Sequence, residues 1–290
     1  MLKLKSFAKI NLCLALKEKR KDGYHNIESV MQTISLHDNI KLKKYKKTLC
    51  KIKNVEFKKI PTNENNLAIK AANLFFSFLN LKYGVKIIIT KNIPTKAGLG
   101  GASSNAAAVL CGLNILYKTN LNYKTLIYLA KKIGADVPFF IKGGTASAQG
   151  IGEKINNINP IKKCYIVIVK PNFSISTKEA YKIYSKMKPF EDGGIKNLIS
   201  KIENNKNFEE MSKCMFNNFE QVLNIEEIFK IKNKMLNLGA KASMLTGSGS
   251  CIFAIFSEKI KAKLAKNFFK KQSLKSFLCT PIKKYFKNIE

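Results

Sequence analysis

The stretch Pro94-Thr95-Lys96-Ala97-Gly98-Leu99-Gly100-Gly101-Ala102-Ser103-Ser104-Asn105 gathers the residues best suited to hold an anion. Its glycines let the backbone come close to a ligand. The β-branched run Val85 to Thr90 precedes it, and an alanine-rich apolar segment to about Leu116 follows, so the glycines sit where a strand gives way to a helix. Ser103 or Ser104 stands where an N-cap belongs. Unpaired N–H groups and the positive end of a helix dipole at such a junction bind phosphate. A tight structural turn is the plainer reading of the same glycines. No lysine follows the second glycine, which excludes the Gly-x-x-x-x-Gly-Lys-Ser/Thr phosphate loop. Ser103 stands where a dinucleotide fingerprint needs its third glycine.

Other polar residues sit singly among apolar ones. Lys9 and Asn11 lie two apart within Ala8 to Leu16, hence on one face of a strand, which taken alone is an ordinary solvated face. Asp22-Gly23-Tyr24-His25 reads as a turn between two extended runs. Asp136, in Gly134-Ala135-Asp136-Val137-Pro138-Phe139-Phe140, has the setting of a cap or turn aspartate. Thr246-Gly247-Ser248-Gly249 forms a tight glycine turn between two strand-like runs.

The elements that must position these residues follow from periodicity. Strands are predicted over residues 3–20 and 27–40, with basic strand material to about Lys58, and Asn65 or Asn66 caps a helix to about Leu79. A helix over 123–133 stops at Gly134, and glycine-broken strands run through 143–153. The composition shifts at Asn156-Asn157-Ile158-Asn159-Pro160, predicting a domain over 1–156 and a second over 157–290. Beyond it come a buried strand at Cys164 to Val169 and a helix capped by Ser174 to Thr177 that bears Tyr181. Lys- and Asn-rich helices run to Asn237, then the strand-turn-strand of 239–253, a basic helix from Glu258 and a strand near 277–282. The class is α/β.

A chain of 290 residues, 46% apolar, can bury full cores, and no run approaches the roughly 18 apolar residues of a membrane span. Nothing near Met1 reads as a signal peptide, and a cytoplasmic location is expected. Seven single cysteines without a Cys-x-x-Cys pair argue against a disulfide framework and a zinc site, and two histidines are too few for a histidine metal cluster. The net charge of +33 invites a basic nucleic-acid-binding protein as the alternative. Against it, Arg20 is the only arginine and the lysines are spread along the chain, so no specific nucleic-acid partner is expected. An anionic substrate would still be steered by this field.

The glycine stretch, the Gly134-to-Phe140 string and the turn around Gly247 occur in the order of the three motifs of the GHMP kinases, which the chain resembles over nearly its whole length. Ala8-Lys9-Ile10-Asn11-Leu12 followed by Asp22-Gly23-Tyr24-His25 resembles the signature of one branch of that superfamily. That branch uses ATP to phosphorylate the 2-hydroxyl of a cytidyl-linked methylerythritol in non-mevalonate isoprenoid synthesis. The resemblance implies an N-terminal domain like ribosomal protein S5 and a ferredoxin-like C-terminal domain. It implies Lys9 and Asp136 as catalytic, and Asn66, Pro94, Lys96, Ala97, Gly98, Leu99, Gly100, Gly101, Ala102, Ser103 and Ser104 as ATP-binding. It further implies Asn11, Tyr24, His25, Thr177, Tyr181, Gly247 and Ser248 as contacts to the small-molecule substrate, Tyr24 and Tyr181 being candidate faces for cytosine. Mg²⁺ is the implied cofactor, with no protein ligand assigned beyond help from Ser103 or Ser104. A homoserine- or mevalonate-type kinase of the superfamily would explain the glycine loop but not the Asp22-to-His25 turn.

Overall fold

The computed structural model describes residues 1–53, 60–187 and 194–283 together with a short strand at 288–289. The strand material predicted for 54–58 lies outside the described residues. Two long strands organise the chain. Strand β1 (Leu2–Lys19) and β2 (His25–Tyr45) form an antiparallel hairpin, turned at Asp22-Gly23 with Gly23 at φ +86°. The hairpin extends through β3 (Leu49–Lys53) and β4 (Gly84–Thr90), and β2 also pairs with β5 (Thr145–Gln149), which pairs with β6 (Lys154–Asn157).

Four helices cover this sheet: α1 (Leu67–Phe78), α2 (Gly101–Leu116), α3 (Tyr123–Ile133) and α4 (Val137–Lys142). Helix α2 is buried at every position from Ser104 to Leu113, which explains its run of small residues: alanine favours helix and lets neighbouring elements close in. Its core joins Phe75, Phe139 and Phe140 to Ile40, Leu42, Ile87 and Ile89 of the sheet.

The second sheet has the order β10-β7-β9-β8, from β7 (Tyr165–Lys170), β8 (Ala242–Leu245), β9 (Ile252–Phe256) and β10 (Lys275–Cys279). Strand β7 is apolar and buried from Ile166 to Val169 because both of its faces are covered there. Ile166 and Ile168 face one core, with Leu198 and Ile202 of α6 (Ile195–Glu203) and Phe208 of α7 (Phe208–Ser212). Val167 and Val169 face another, with residues of α5 (Thr177–Tyr184), α8 (Asn218–Leu223), α9 (Glu226–Asn237) and α10 (Lys259–Lys271). Strand β1 feeds all three cores: Leu4 and Phe7 the first, Ile10 and Leu12 the second, Leu14 and Leu16 the third. A register shift at Phe7/Ala8 lets the strand change the core it serves.

The halves are stitched together. Leu14 N–H donates to Phe216 O (2.9 Å), Leu16 N–H to Asn218 Oδ1 (2.8 Å), and Ser35 N–H to Thr280 O (2.9 Å). The chain then returns to the first sheet, where β11 (Asn288–Ile289) pairs with β1. Among the described residues, no helix is long and apolar enough to cross a membrane.

Candidate active site

Helix α2 starts at Gly101, earlier than either serine would place it. Its N-cap is Gly100, at φ +67° and with no side-chain cap. A Cβ on Gly100 would lie 2.7 Å from the Phe140 ring, so packing and backbone conformation both require glycine there. The expectation of a serine cap is corrected: neither Ser103 nor Ser104 caps the helix. In the first helical turn, Ser104 is rotated onto the sheet: its buried hydroxyl donates to Phe7 O (2.6 Å) and lies 2.7 Å from Ser6 Oγ. Ser103 faces the cleft instead. The start of α2 keeps its N–H groups free of a competing side chain, as an anion site needs.

The loop is held in place by the turn between β8 and β9. Gly98 (φ +73°) runs so close to it that an added Cβ would lie 1.9 Å from Thr246 O. Cys251 N–H donates to Ala97 O (3.3 Å) and Thr246 Oγ1 to Gly98 O (3.4 Å). The brace is itself held by Asn217, buried, whose Nδ2 donates to Leu245 O and Gly247 O, each at 2.9 Å. Sequence reading did not single out Thr246 or Asn217 as site residues. The one available signal was the pair Asn217-Asn218 opening a helix, where an amide beyond capping need can bond elsewhere.

Lys9 and Asn11 do share a face, but it is an interior one. Lys9 Nζ donates to Asn11 Oδ1 (2.7 Å) and lies 3.9 Å from Asp136 Oδ2. Asn11 Nδ2 donates to Ser29 Oγ (2.8 Å), and Ser29 in turn to Cys13 O (2.6 Å). The amide of Asn11 is thus engaged at both ends and serves to aim Lys9. The Lys9 side chain is 5% exposed and that of Asp136 33%. Burial pulls the Lys9 pKa below the ordinary lysine value, and the Asp136 carboxylate opposes that shift. Asp136 sits at the N-cap position of α4 yet caps no N–H, so its carboxylate is open to the cleft.

The hairpin tip presents aromatic groups to the same cleft. Arg20 grips Asp22 with its fork: Nε donates to both carboxylate oxygens (3.2 and 3.0 Å) and Nη2 lies 2.9 Å from Oδ2. Asp22 Oδ1 accepts from Tyr24 N–H (3.1 Å), and Tyr24 projects 61% exposed. His25 is buried, stacked on Tyr181 of α5 (centroids 5.3 Å apart, planes at 24°), with Nε2 3.2 Å from Ser185 Oγ. Burial first, then Lys19, lowers the His25 pKa, favouring the neutral ring. Tyr181 stands edge-on to Phe219 (5.1 Å), and burial foremost pushes its pKa to about 12. At the start of α5, Thr177 Oγ1 lies 2.7 Å from Ser248 Oγ.

Asn66 caps α1, with Oδ1 accepting from Ala68 N–H (2.9 Å) and Nδ2 donating to Pro61 O (2.8 Å). Its amide therefore shapes the cleft wall. Lys91, which sequence reading passed over, lines the cleft beside Gly101 and is ion-paired with buried Asp38. One cleft of about 1270 Å³ collects every residue implied as catalytic, ATP-binding or substrate-contacting except Ser104. That exceeds the ~300–1,000 Å³ of a pocket for one small ligand and suits two ligands side by side.

A helix start with uncapped N–H groups, a buried lysine beside an open carboxylate, and room for two ligands are features that phosphoryl transfer between small molecules requires. Residues 66–144 match the GHMP kinases N terminal domain and residues 196–274 the GHMP kinases C terminal domain. The chain is 44% identical over 269 residues to the 4-diphosphocytidyl-2-C-methyl-D-erythritol kinase of Clostridium tetani (strain Massachusetts / E88), covering 90% of this chain and 93% of that one. It is 42% identical to the protein of that name from Clostridium novyi (strain NT), covering 92% and 95%. A crystal structure of 4-(cytidine 5'-diphospho)-2C-methyl-D-erythritol kinase superposes with TM-score 0.80 at 26% identity, covering 97% and 99%. Homoserine kinase from Cytophaga hutchinsonii shares the fold with TM-score 0.75 at 18% identity, covering 98% and 95%. The chain belongs to the 4-diphosphocytidyl-2-C-methyl-D-erythritol kinase family.

Proposed function

We propose that this protein transfers the γ-phosphoryl group of ATP to the 2-hydroxyl of 4-diphosphocytidyl-2-C-methyl-D-erythritol, in the cytoplasm, in isoprenoid precursor synthesis. The observation that carries the chemistry is the Lys9 ammonium 3.9 Å from the Asp136 carboxylate, in the cleft that also holds the free start of α2. Phosphoryl transfer requires positioning, neutralised charge and a group to take the hydroxyl proton. Asp136 takes that proton, and the Lys9 ammonium beside it steadies the hydroxyl oxygen. N–H groups from Gly98 to Ser103 receive the triphosphate. Tyr24 and Tyr181 offer ring faces to cytosine, and His25 a polar edge. Asn66 and Pro94 line the nucleotide wall.

The described residues hold no group of three or more His, Cys, Asp or Glu side chains suited to a metal. Mg²⁺ keeps several waters and phosphate oxygens as ligands, and Ser103 and Asp136 are the protein oxygens of the cleft that would help hold it. Bound there, it would neutralise charge on the triphosphate. The cytoplasmic reading draws on the free cysteines, which suit a reducing compartment. The domain division 1–156 and 157–290 is proposed with the last strand, 288–289, returned to the first sheet. No nucleic-acid partner is proposed, since the basic excess is lysine rather than arginine.

The test measures ADP formation with 4-diphosphocytidyl-2-C-methyl-D-erythritol, homoserine and mevalonate in parallel. Turnover with the cytidyl compound alone is expected; turnover with homoserine or mevalonate and none with the cytidyl compound would overturn the assignment.

A further inference from the structure

The cleft is strongly asymmetric in charge. Asp136 is the only carboxylate among its described lining residues, against seven lysines. Two of the seven are committed: Lys9 to Asn11 and Asp136, and Lys91 to Asp38. Three others, Lys178, Lys182 and Lys186, recur every fourth residue along α5 and its C-terminal turn. That spacing puts them on one face of the helix, the face that lines the cleft. They have no ion-pair partner among the described residues, and Glu179, between the first two, does not line the cleft. Like charges at i, i+4 repel, so such a row weakens the free helix.

The two ends of α5 show what the row spans. Thr177, at the start, bonds Ser248 of the loop that braces the phosphate-binding turn. Ser185, one turn past the middle, bonds His25 beside Tyr181 and Tyr24. The helix thus runs about 12 Å along the cleft, from the loop that braces the phosphate-binding turn to the aromatic end. A substrate whose base rests on those aromatics and whose hydroxyl reaches Asp136, in the same cleft, carries its diphosphate past the lysine-lined wall. We propose that Lys178, Lys182 and Lys186 form an anion subsite for the diphosphate bridge of the cytidyl substrate, distinct from the triphosphate site at the start of α2. This rests on the substrate reading above.

The test compares CDP with cytidine by titration calorimetry on the full chain, wild type and K178Q/K182Q/K186Q. All three side chains are exposed, and melting curves check that the variant folds. Wild type is expected to bind CDP more tightly than cytidine. The variant is expected to lose CDP affinity about ten- to fifty-fold, to keep cytidine and ATP affinity within about twofold, and to show a flatter salt dependence for CDP. The arginine variant K178R/K182R/K186R should recover most of the loss. Unchanged CDP binding, or equal loss for CDP and cytidine, would overturn the subsite while leaving the substrate reading intact. Failure of wild type to bind either compound would overturn the substrate reading and the subsite with it.

Discussion

At the residue scale, the centre of the cleft is a lysine held where lysine is costly. Lys9 is buried against β2, aimed by Asn11 and balanced by a partly exposed Asp136. Asp136→Asn keeps the shape of the side chain and removes its basicity. Turnover is expected to fall about 10²–10⁴-fold with little change in ATP affinity, and a steady-state assay on the folded variant checks it. Lys9 yields a test in pH. Its folded pKa lies below the ordinary lysine value, so kcat/KM is expected to fall as pH rises through that folded value, below the ordinary one. Stability moves the other way: between the folded and unfolded values the unfolded chain holds more protons, so rising pH favours the fold. Lys9→Gln should abolish both trends, measured as the alkaline limb of kcat/KM and as Tm against pH.

At the element scale, the hairpin tip and the glycine turn are short structures with demanding side chains. Arg20 stands at a place where a point-charge ammonium could not reproduce the contact, since both Asp22 oxygens and a further amide on Asn26 are reached at once. The turn so held displays Tyr24, whose exposure no packing explains. A base stacked on that ring contributes about 1–3 kcal/mol, so Tyr24→Ala is expected to raise KM for the cytidyl substrate roughly ten- to a hundred-fold. ATP binding should be unchanged, and Tyr24→Phe should lose much less. Equal losses for Ala and Phe would remove Tyr24 from the cytosine site.

At the scale of the whole molecule, the site exists because two sheets meet. The phosphate turn belongs to the first, its brace to the second, and Asn217 joins the brace to the helices beyond. Asn217→Ala would strip the donor from two buried carbonyls at once. Stability is expected to drop by about 1–3 kcal/mol, read as a fall of several degrees in Tm, with a raised KM for ATP as Gly98 loses its support. A stability loss with an unchanged ATP KM would show that the brace does not shape the nucleotide site.

The sequence by itself determined the family, the run of elements and the polar and glycine residues at the centre of the cleft. Those features are local: glycines between a strand and an alanine helix, Asp22-Gly23 between extended runs, an Asn before an apolar periodic stretch. What it left open depended on distant partners. Where α2 begins was settled by Phe140 pressing on Gly100, and that one choice turned Ser104 into the sheet and Ser103 toward the cleft. An apparently solvated Lys9 became an interior charge because β2, β5 and the brace close over β1. Tyr181 met His25 only through the packing of a C-terminal helix on an N-terminal hairpin, more than 150 residues apart in the chain. Burial and long-range contact set charge state and orientation, and neither is written in the spacing of neighbouring residues.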